Sequence, residues 1–367
     1  MDPFAGCGTA LVAANARSWN AVGYEAHPVF ARIGRAKACG WSQTEHLEEI
    51  ACSLIRGFAE PIGPTVLGES AHLFLSKLFD PDTLATLLGA RTALQQDGYD
   101  SDDLAFLVLS KIVDMCSHSQ TDGVYKAPSS RKVPEDPRTA CHKVVRMIHD
   151  DMRLARWLKA GASKLVSASS ETMPDLADKS VEVVVTSPPY LNNFDYAEMT
   201  RMVLYFWGMA NCWADITRTV RSKLIVNTTT ALRGHKERQQ EYRLSIPTPA
   251  VPNLDAAVRL LREERRTRAG KKEYDLLVYP YFSQMTSVLR ECARVLRPGA
   301  LAHVMVADAA LYGVHISTPQ LLATIMEGVG FHDIGVSLVR KRGERWILNK
   351  RDGSKEGLGE YHIRARK

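Results

Sequence analysis

A run of strand-forming residues ending in a proline turn, Val181-Glu-Val-Val-Val-Thr-Ser-Pro-Pro-Tyr, restricts the fold of this 367-residue chain more than any other segment. The valines, interrupted only by Glu182, suit a parallel strand covered on both faces. A strand of that kind needs helices around it, so the segment predicts an α/β protein. The prolines that follow fix a rigid turn whose carbonyl oxygens cannot swing away, and Tyr190 places a flat ring beside them.

The same alternation begins at the first residues. Asp2-Pro-Phe-Ala-Gly-Cys-Gly reads as a turn, Thr9 to Arg17 as an Ala-rich helix and Ala21 to Glu25 as a short strand. In a doubly wound sheet the ligand sits beyond the carboxyl ends of the strands. Glycines there let backbone approach it, and an acid after the next strand can grip ribose hydroxyls. Glu25 is that acid, which makes the segment a candidate nucleoside-cofactor site, although a bare G-x-G is also an ordinary tight turn and the third glycine of the dinucleotide fingerprint is absent.

Residues 41 to 160 carry helical periodicity instead, in His46 to Phe58, Ala71 to Leu78, Asp82 to Leu94, Asp102 to Met115 and Pro137 to Leu158, with an exposed loop predicted from Asp122 to Lys132. Strand signals return at Lys164 to Ser167 and Val181 to Val185. A helix-like stretch from Tyr196 to Trp213 follows, then a basic segment, then a helix from Tyr281 to Leu296 stopped by Arg297-Pro-Gly. A strand from Leu301 to Ala307, a helix from Thr318 to Val329 and a final strand from Gly335 to Arg340 complete the reading. The predicted fold is a doubly wound, Rossmann-like α/β sheet with a helical insertion and a basic insertion. The predicted segments are 1–40, 41–160, 161–213, 214–275 and 276–367.

Charge points to a polyanionic partner. The net charge is +6, and the stretch from Arg218 to Lys272 holds fourteen Lys or Arg against five Asp or Glu, more than the whole excess. Within it Arg262, Arg265, Arg266, Arg268, Lys271 and Lys272 are candidate phosphate contacts, the alternative being a solvated helix end. Lys126, Arg131 and Lys132 are further candidates. The seven cysteines lie far apart with no C-x-x-C pair and no His cluster, so neither disulfides nor a metal site are expected. With no apolar stretch near the roughly 20 residues of a membrane helix, and no signal peptide, a cytoplasmic location is expected.

The proline turn has a chemistry of its own. The Ser187 side chain and the Pro188 carbonyl can accept hydrogen bonds from an amino group, align its lone pair with a methyl donor and help bear the positive charge that develops on nitrogen. Tyr190 can stack on the ring that carries the amine. Together the two motifs resemble the amino-methyltransferase family of DNA methylases, which act on N4 of cytosine or N6 of adenine. The resemblance implies S-adenosylmethionine as cofactor, with its methionine portion held by Asp2, Phe4, Gly6, Gly8 and Thr9 and its ribose by Glu25. It implies that Ser187, Pro188, Pro189 and Tyr190 are the catalytic turn for the target amine.

Arg294-Val-Leu-Arg-Pro-Gly and Asp308-Ala-Ala-Leu-Tyr-Gly-Val-His resemble later elements of the same methylases, with Asp308 near the site or a turn former and His315 structural. Ser170 or Glu171 is the candidate for the cofactor's adenine. Cys7 is expected to be incidental, because no Pro-Cys pair indicates a covalent route. DNA is the expected partner, its target base flipped out of the duplex. The alternatives are an RNA amino-methyltransferase and a non-catalytic DNA-binding subunit. Because Met1 stands where the last residue of a first strand belongs, upstream residues or a second chain completing that strand and the pocket are also expected.

Overall fold

The computed structural model describes residues 1–39, 44–122, 125–155, 161–191, 194–268, 270–342 and 358–367. The chain forms two compact units. One comprises Ala5–Ser167 and Tyr196–Lys223, the other Met1–Phe4, Ala168–Asp195 and Leu224–Lys367.

In the first unit, α1 (Thr9–Asn15) leads to β1 (Ala21–Tyr24) and α2 (Pro28–Cys39). Then come α3 (Thr44–Phe58), α4 (Glu69–Leu75), α5 (Pro81–Gln96) and α6 (Asp103–Cys116), followed by the hairpin β2 (Ser119–Asp122) and β3 (Tyr125–Arg131) and by α7 (Pro137–Ala155). The strand β4 (Ser163–Val166) and three short helices, α8 (Tyr196–Met199), α9 (Arg201–Phe206) and α10 (Trp213–Thr219), complete it. β4 pairs in parallel with β1, Ala21 opposite Ser163 and Tyr24 opposite Val166. Around this pair Ala5, Leu11, Ala31, Ala38 and Leu165 make a small apolar core. Ala31 and Ala38 lie two turns apart, on one stripe of α2. Among the helices, Leu47, Ile50 and Leu54 of α3 are fully buried at the i, i+3, i+7 spacing that predicted them. α6 starts where the Asp102 side chain accepts from the Ala105 amide at 2.7 Å, an N-cap.

The sequence reading differs from this unit in three places. α2 was not predicted, although Pro28 at its start is a helix-initiating signal. The predicted loop after Asp122 is part of an antiparallel hairpin, with Asp122 opposite Tyr125 and Thr121 opposite Lys126. Its strands are polar and lack the apolar alternation from which a strand is read. The stretch from Tyr196 to Trp213 breaks into short helices rather than forming one.

The second unit contains β5 (Val181–Thr186), α11 (Gln239–Ser245), α12 (Val251–Thr267), α13 (Val278–Val295) and β6 (Leu296–Ala307). After these come β7 (Ala309–Leu311), β8 (Val314–Ile316), α14 (Thr318–Gly328), β9 (His332–Lys341) and β10 (Gly359–Arg366). The sheet order is β5-β6-β10-β9. β5 and β6 are parallel, with Thr186 opposite Val304, while β10 runs antiparallel to both β6 and β9. The fold is therefore α/β with both parallel and antiparallel pairing. β10 inserts between β6 and β9, whereas the sequence reading ended at β9.

Val184, Ala302, Val304, Ile363 and Ala365 are buried on one face of this sheet. Met285, Val288, Leu289 and Cys292 of α13 border the same narrow gap as Val184, Ala302 and Val304. The opposite face differs from expectation: Val181 is buried there but Val185 is 49% exposed, so β5 is not covered on both sides along its whole length. Met1 lies beside β5, its nitrogen donating to the Val183 carbonyl at 2.8 Å and its carbonyl accepting from the Val185 amide at 3.0 Å. Among the described residues no helix is long and apolar enough to cross a membrane.

Candidate functional site

The glycine turn is built almost entirely from neighbours in sequence. The Ala5 amide donates to the Tyr24 carbonyl at the end of β1 (2.9 Å), and the Gly8 amide returns to the Ala5 carbonyl (2.8 Å). Gly6 and Gly8 take φ values of 52° and 80°, a left-handed conformation that costs glycine little. Gly8 also ends against α2: a Cβ there would lie 3.0 Å from the Gly34 carbonyl oxygen. A Cβ on Gly34 would come within 2.5 Å of Leu165 and 3.1 Å of the Gly6 carbonyl oxygen. Gly34 is thus part of the turn's packing. Sequence reading passed it over because α2 itself was missed; a glycine inside an otherwise helical stretch was the available signal.

Glu25 closes the turn. Its Oε2 accepts from the Gly6 amide at 2.8 Å and its Oε1 from the His27 amide at 2.7 Å. These two bonds orient the carboxylate beside the turn. His27 is buried; its Nδ1 accepts from the Val29 amide at 3.2 Å, which leaves Nε2–H to donate to Thr200 Oγ1 at 2.9 Å. Thr9, the first residue of α1, is exposed, and Gly8 as N-cap gives the helix no side-chain cap. The Cys7 thiol is pushed up, chiefly by burial, which opposes a thiolate and fits an incidental role.

The proline turn is built from far apart. Thr186, the last residue of β5, donates its hydroxyl to Asp2 Oδ1 at 2.7 Å, and the same oxygen accepts from the Phe4 amide at 3.0 Å. Asp2 is 7% exposed, and burial pushes its carboxyl above the usual range despite these bonds. Asp2 therefore braces the chain beside β5, on the amine side. The Pro189 carbonyl accepts from the hydroxyl of Tyr281 at 3.0 Å, a fully buried residue of α13. Tyr190 is half-buried. Burial pushes its phenol up, while the Ser187 hydroxyl bonded to it and the nearby Arg342 pull the other way. Ser187 itself is exposed and Pro188 buried. Beyond the turn, Asn227 Nδ2 donates to the Phe194 carbonyl at 3.0 Å and Thr230 Oγ1 to Asp195 Oδ2 at 2.8 Å. Tyr281, Asn227 and Thr230 were not singled out in the sequence, where nothing links them to residues so distant.

The structure divides the predicted residues. Gly6, Gly8, Thr9 and Glu25 belong to the first unit; Asp2, Phe4 and Ser187 to Tyr190 belong to the second. Ser170 is buried, and Glu171 Oε1 accepts from Gln284 Nε2 at 3.2 Å, with burial pushing its carboxyl up. Asp308 Oδ1 accepts from the Gly359 amide and its Oδ2 faces His315 Nε2, both at 2.8 Å.

Among the basic candidates, Arg265 and Arg262 face the buried Asp275 at 2.9 and 3.5 Å, and Arg268 pairs with Glu264 at 3.1 Å. Arg266, Lys271 and Lys272 are exposed. Three of the six candidates therefore face acidic partners, although Arg262 and Arg268 keep about half of their side chains open, at 54% and 51%. Lys132 donates to the Asp114 carbonyl at 2.9 Å; the side chains of Lys126 and Arg131 lie outside the described residues.

No protein-family model and no solved structure matches the chain. Curated proteins do. The Type II methyltransferase M.AvaI of Nostoc sp. is 21% identical over 359 residues, spanning 90% of this chain and 73% of its own, and the M.AvaI of Anabaena variabilis matches to the same extent. The Type II methyltransferase M.BsoBI of Geobacillus stearothermophilus is 22% identical over 405 residues, spanning 98% of this chain and 77% of its own. Over nine-tenths or more of its length, then, the chain that carries these two turns is similar to Type II methyltransferases.

Proposed function

We propose that this protein is a DNA methyltransferase that transfers a methyl group from S-adenosylmethionine to an exocyclic amino group, cytosine N4 or adenine N6, of a base flipped out of the duplex. The observation that carries the reading is the turn at the end of β5, whose Pro189 carbonyl is fixed by Tyr281 and whose preceding Thr186 is fixed by Asp2. The similarity to Type II methyltransferases supports DNA methylation as the setting. The doubly wound arrangement, the division into a cofactor segment, helical insertion, amine segment, basic recognition insertion and C-terminal part, and a cytoplasmic location all go with this reading. A second chain completing the segment before Asp2 draws no support from these observations.

The glycine turn fits a nucleoside cofactor: Gly6 and Gly8 let backbone approach a ligand closely, and Glu25 is oriented beside them by the Gly6 and His27 amides. Glu25 would hold the ribose, and the turn the methionine portion. S-adenosylmethionine would supply an electrophilic sulfonium methyl group. The chain's own contribution is position. Ser187 Oγ and the Pro188 carbonyl would accept the two amine hydrogens, which would present the nitrogen lone pair for transfer and stabilise the positive charge that nitrogen gains. The methylated nitrogen would then give up its extra proton to solvent, restoring a neutral amine. Tyr190 stacks on the base, returning roughly 1 to 3 kcal/mol of the cost of flipping.

Tritium transfer from labelled S-adenosylmethionine to unmodified DNA and to RNA, followed by mass spectrometry of the nucleosides, tests the proposal. N4-methylcytosine or N6-methyladenine in DNA is the expected product. Label only in RNA, or C5-methylcytosine, would overturn it.

A further inference from the structure

The hairpin of β9 and β10 is basic, and its Arg340 to Arg342 end lies at the amine turn, while Arg364, Arg366 and Lys367 lie toward the other end of the sheet. Residues 332–342 and 359–367 hold six Lys or Arg against two acids. Both acids are matched within the hairpin: Arg340 pairs with Glu360 at 2.6 Å, and Arg366 approaches Asp333 at 3.5 Å. At the end of β9 the guanidinium of Arg342 lies 6.0 Å from the centre of the Tyr190 ring, and the Arg342 amide is tied to the Leu358 carbonyl across the hairpin at 2.6 Å. At that distance it stands at the outer limit of cation–π contact, about 6 Å, so it sets the charge beside the ring without covering it. Arg340 and Glu360 also bear on Tyr190 electrostatically, Glu360 raising its phenol and Arg340 lowering it.

We propose that Arg342 is a nucleic-acid contact of the amine turn, gripping a phosphate next to the base that stacks on Tyr190. This rests on the reading above, in which the turn accepts a base. A flipped nucleotide carries its flanking phosphates with it, and beside a half-buried aromatic ring those charges need a cation close by. A guanidinium suits the task because its planar fork can take two phosphate oxygens at once and it stays charged at every working pH. The bond from its amide to the Leu358 carbonyl ties the base of this side chain to the hairpin beside Tyr190. The basic segment around α12 would then position the duplex broadly, while Arg342 acts on the extruded nucleotide.

The test uses the full chain with Arg342→Gln and Arg342→Lys. Methyl transfer to unmodified genomic DNA gives KM and kcat, and binding to a random-sequence duplex at several salt concentrations gives the salt slope. Arg342→Gln should raise KM for DNA about tenfold, with a smaller fall in kcat, and should flatten the slope by about one unit. Arg342→Lys should keep the slope and recover part of the KM. Unchanged KM and slope in Arg342→Gln would overturn the proposal, and so would equal losses in both variants accompanied by a lowered melting temperature. An effect seen only with RNA would overturn it too. If the unaltered protein binds DNA but transfers no methyl group, while Arg342→Gln still flattens the slope, the methylation reading fails and the contact stands.

Discussion

The proline turn ends β5 and the glycine turn leads into α1, and they are held in different ways. At the glycine turn the fixing contacts come from Glu25 and Tyr24, within the first βα units of the chain, and the glycines themselves supply the conformation. At the proline turn they come from Asp2 and Tyr281, which lie 184 and 92 residues from their partners. The first turn is a property of local sequence with one distant refinement, Gly34. The second has rigid covalent geometry from its prolines, but its direction depends on tertiary packing.

If this contrast is right, damage should separate cleanly. The largest effect is expected for Tyr190→Ala, which should lower kcat by about a hundredfold or more through a misplaced base while leaving affinity for S-adenosylhomocysteine within about twofold. Calorimetry beside single-turnover rates would measure both, and a parallel loss of cofactor affinity would mean that the two turns are not separable. Next is Glu25→Ala, expected to weaken S-adenosylhomocysteine binding by about ten- to a hundredfold, the range for hydrogen bonds to a charged group at 1.5–3 kcal/mol. Equilibrium dialysis would report it. Unchanged affinity would leave Glu25 only the job of bracing Gly6.

Tyr281→Phe sharpens the contrast further. Removing one hydroxyl in the core should slow methyl transfer about two- to tenfold, in line with 0.5–1.5 kcal/mol for a neutral hydrogen bond, with little change in cofactor affinity. A rate equal to that of the unaltered protein would show that the prolines alone set the turn, and the role assigned to α13 would fall.

The smallest effect concerns Asp2. Burial raises its pKa in the folded chain, so the stability it contributes is full below its unfolded pKa and is lost as pH rises through the folded value. Asp2→Asn keeps an oxygen for Thr186 and Phe4 and carries no charge to desolvate. The melting temperature of Asp2→Asn relative to the unaltered chain should therefore rise as pH increases above about 4. A difference independent of pH would mean that Asp2 is not charged at the cost inferred from its burial.

Periodicity and turn chemistry made much of this molecule legible from sequence: α3, α5, α6 and α7 lie where apolar spacing predicted them, and β5 ends at the expected proline turn. What escaped has a common cause. α2 carries a glycine whose use becomes visible only when the turn packs on it, and the hairpin of β2 and β3 is polar, its pairing set by backbone partners rather than by a buried face.

The sequence by itself determined the two turns and the residues that can do chemistry there, because glycine, proline and a strand-end acid act through local backbone geometry. Only the tertiary structure decided that Asp2 turns to Thr186, that Arg262 and Arg265 face Asp275, and that Arg342 reaches Tyr190. Those pairings depend on which strands lie side by side, and β10 settles between β6 and β9 through hydrogen bonds that any sequence can make.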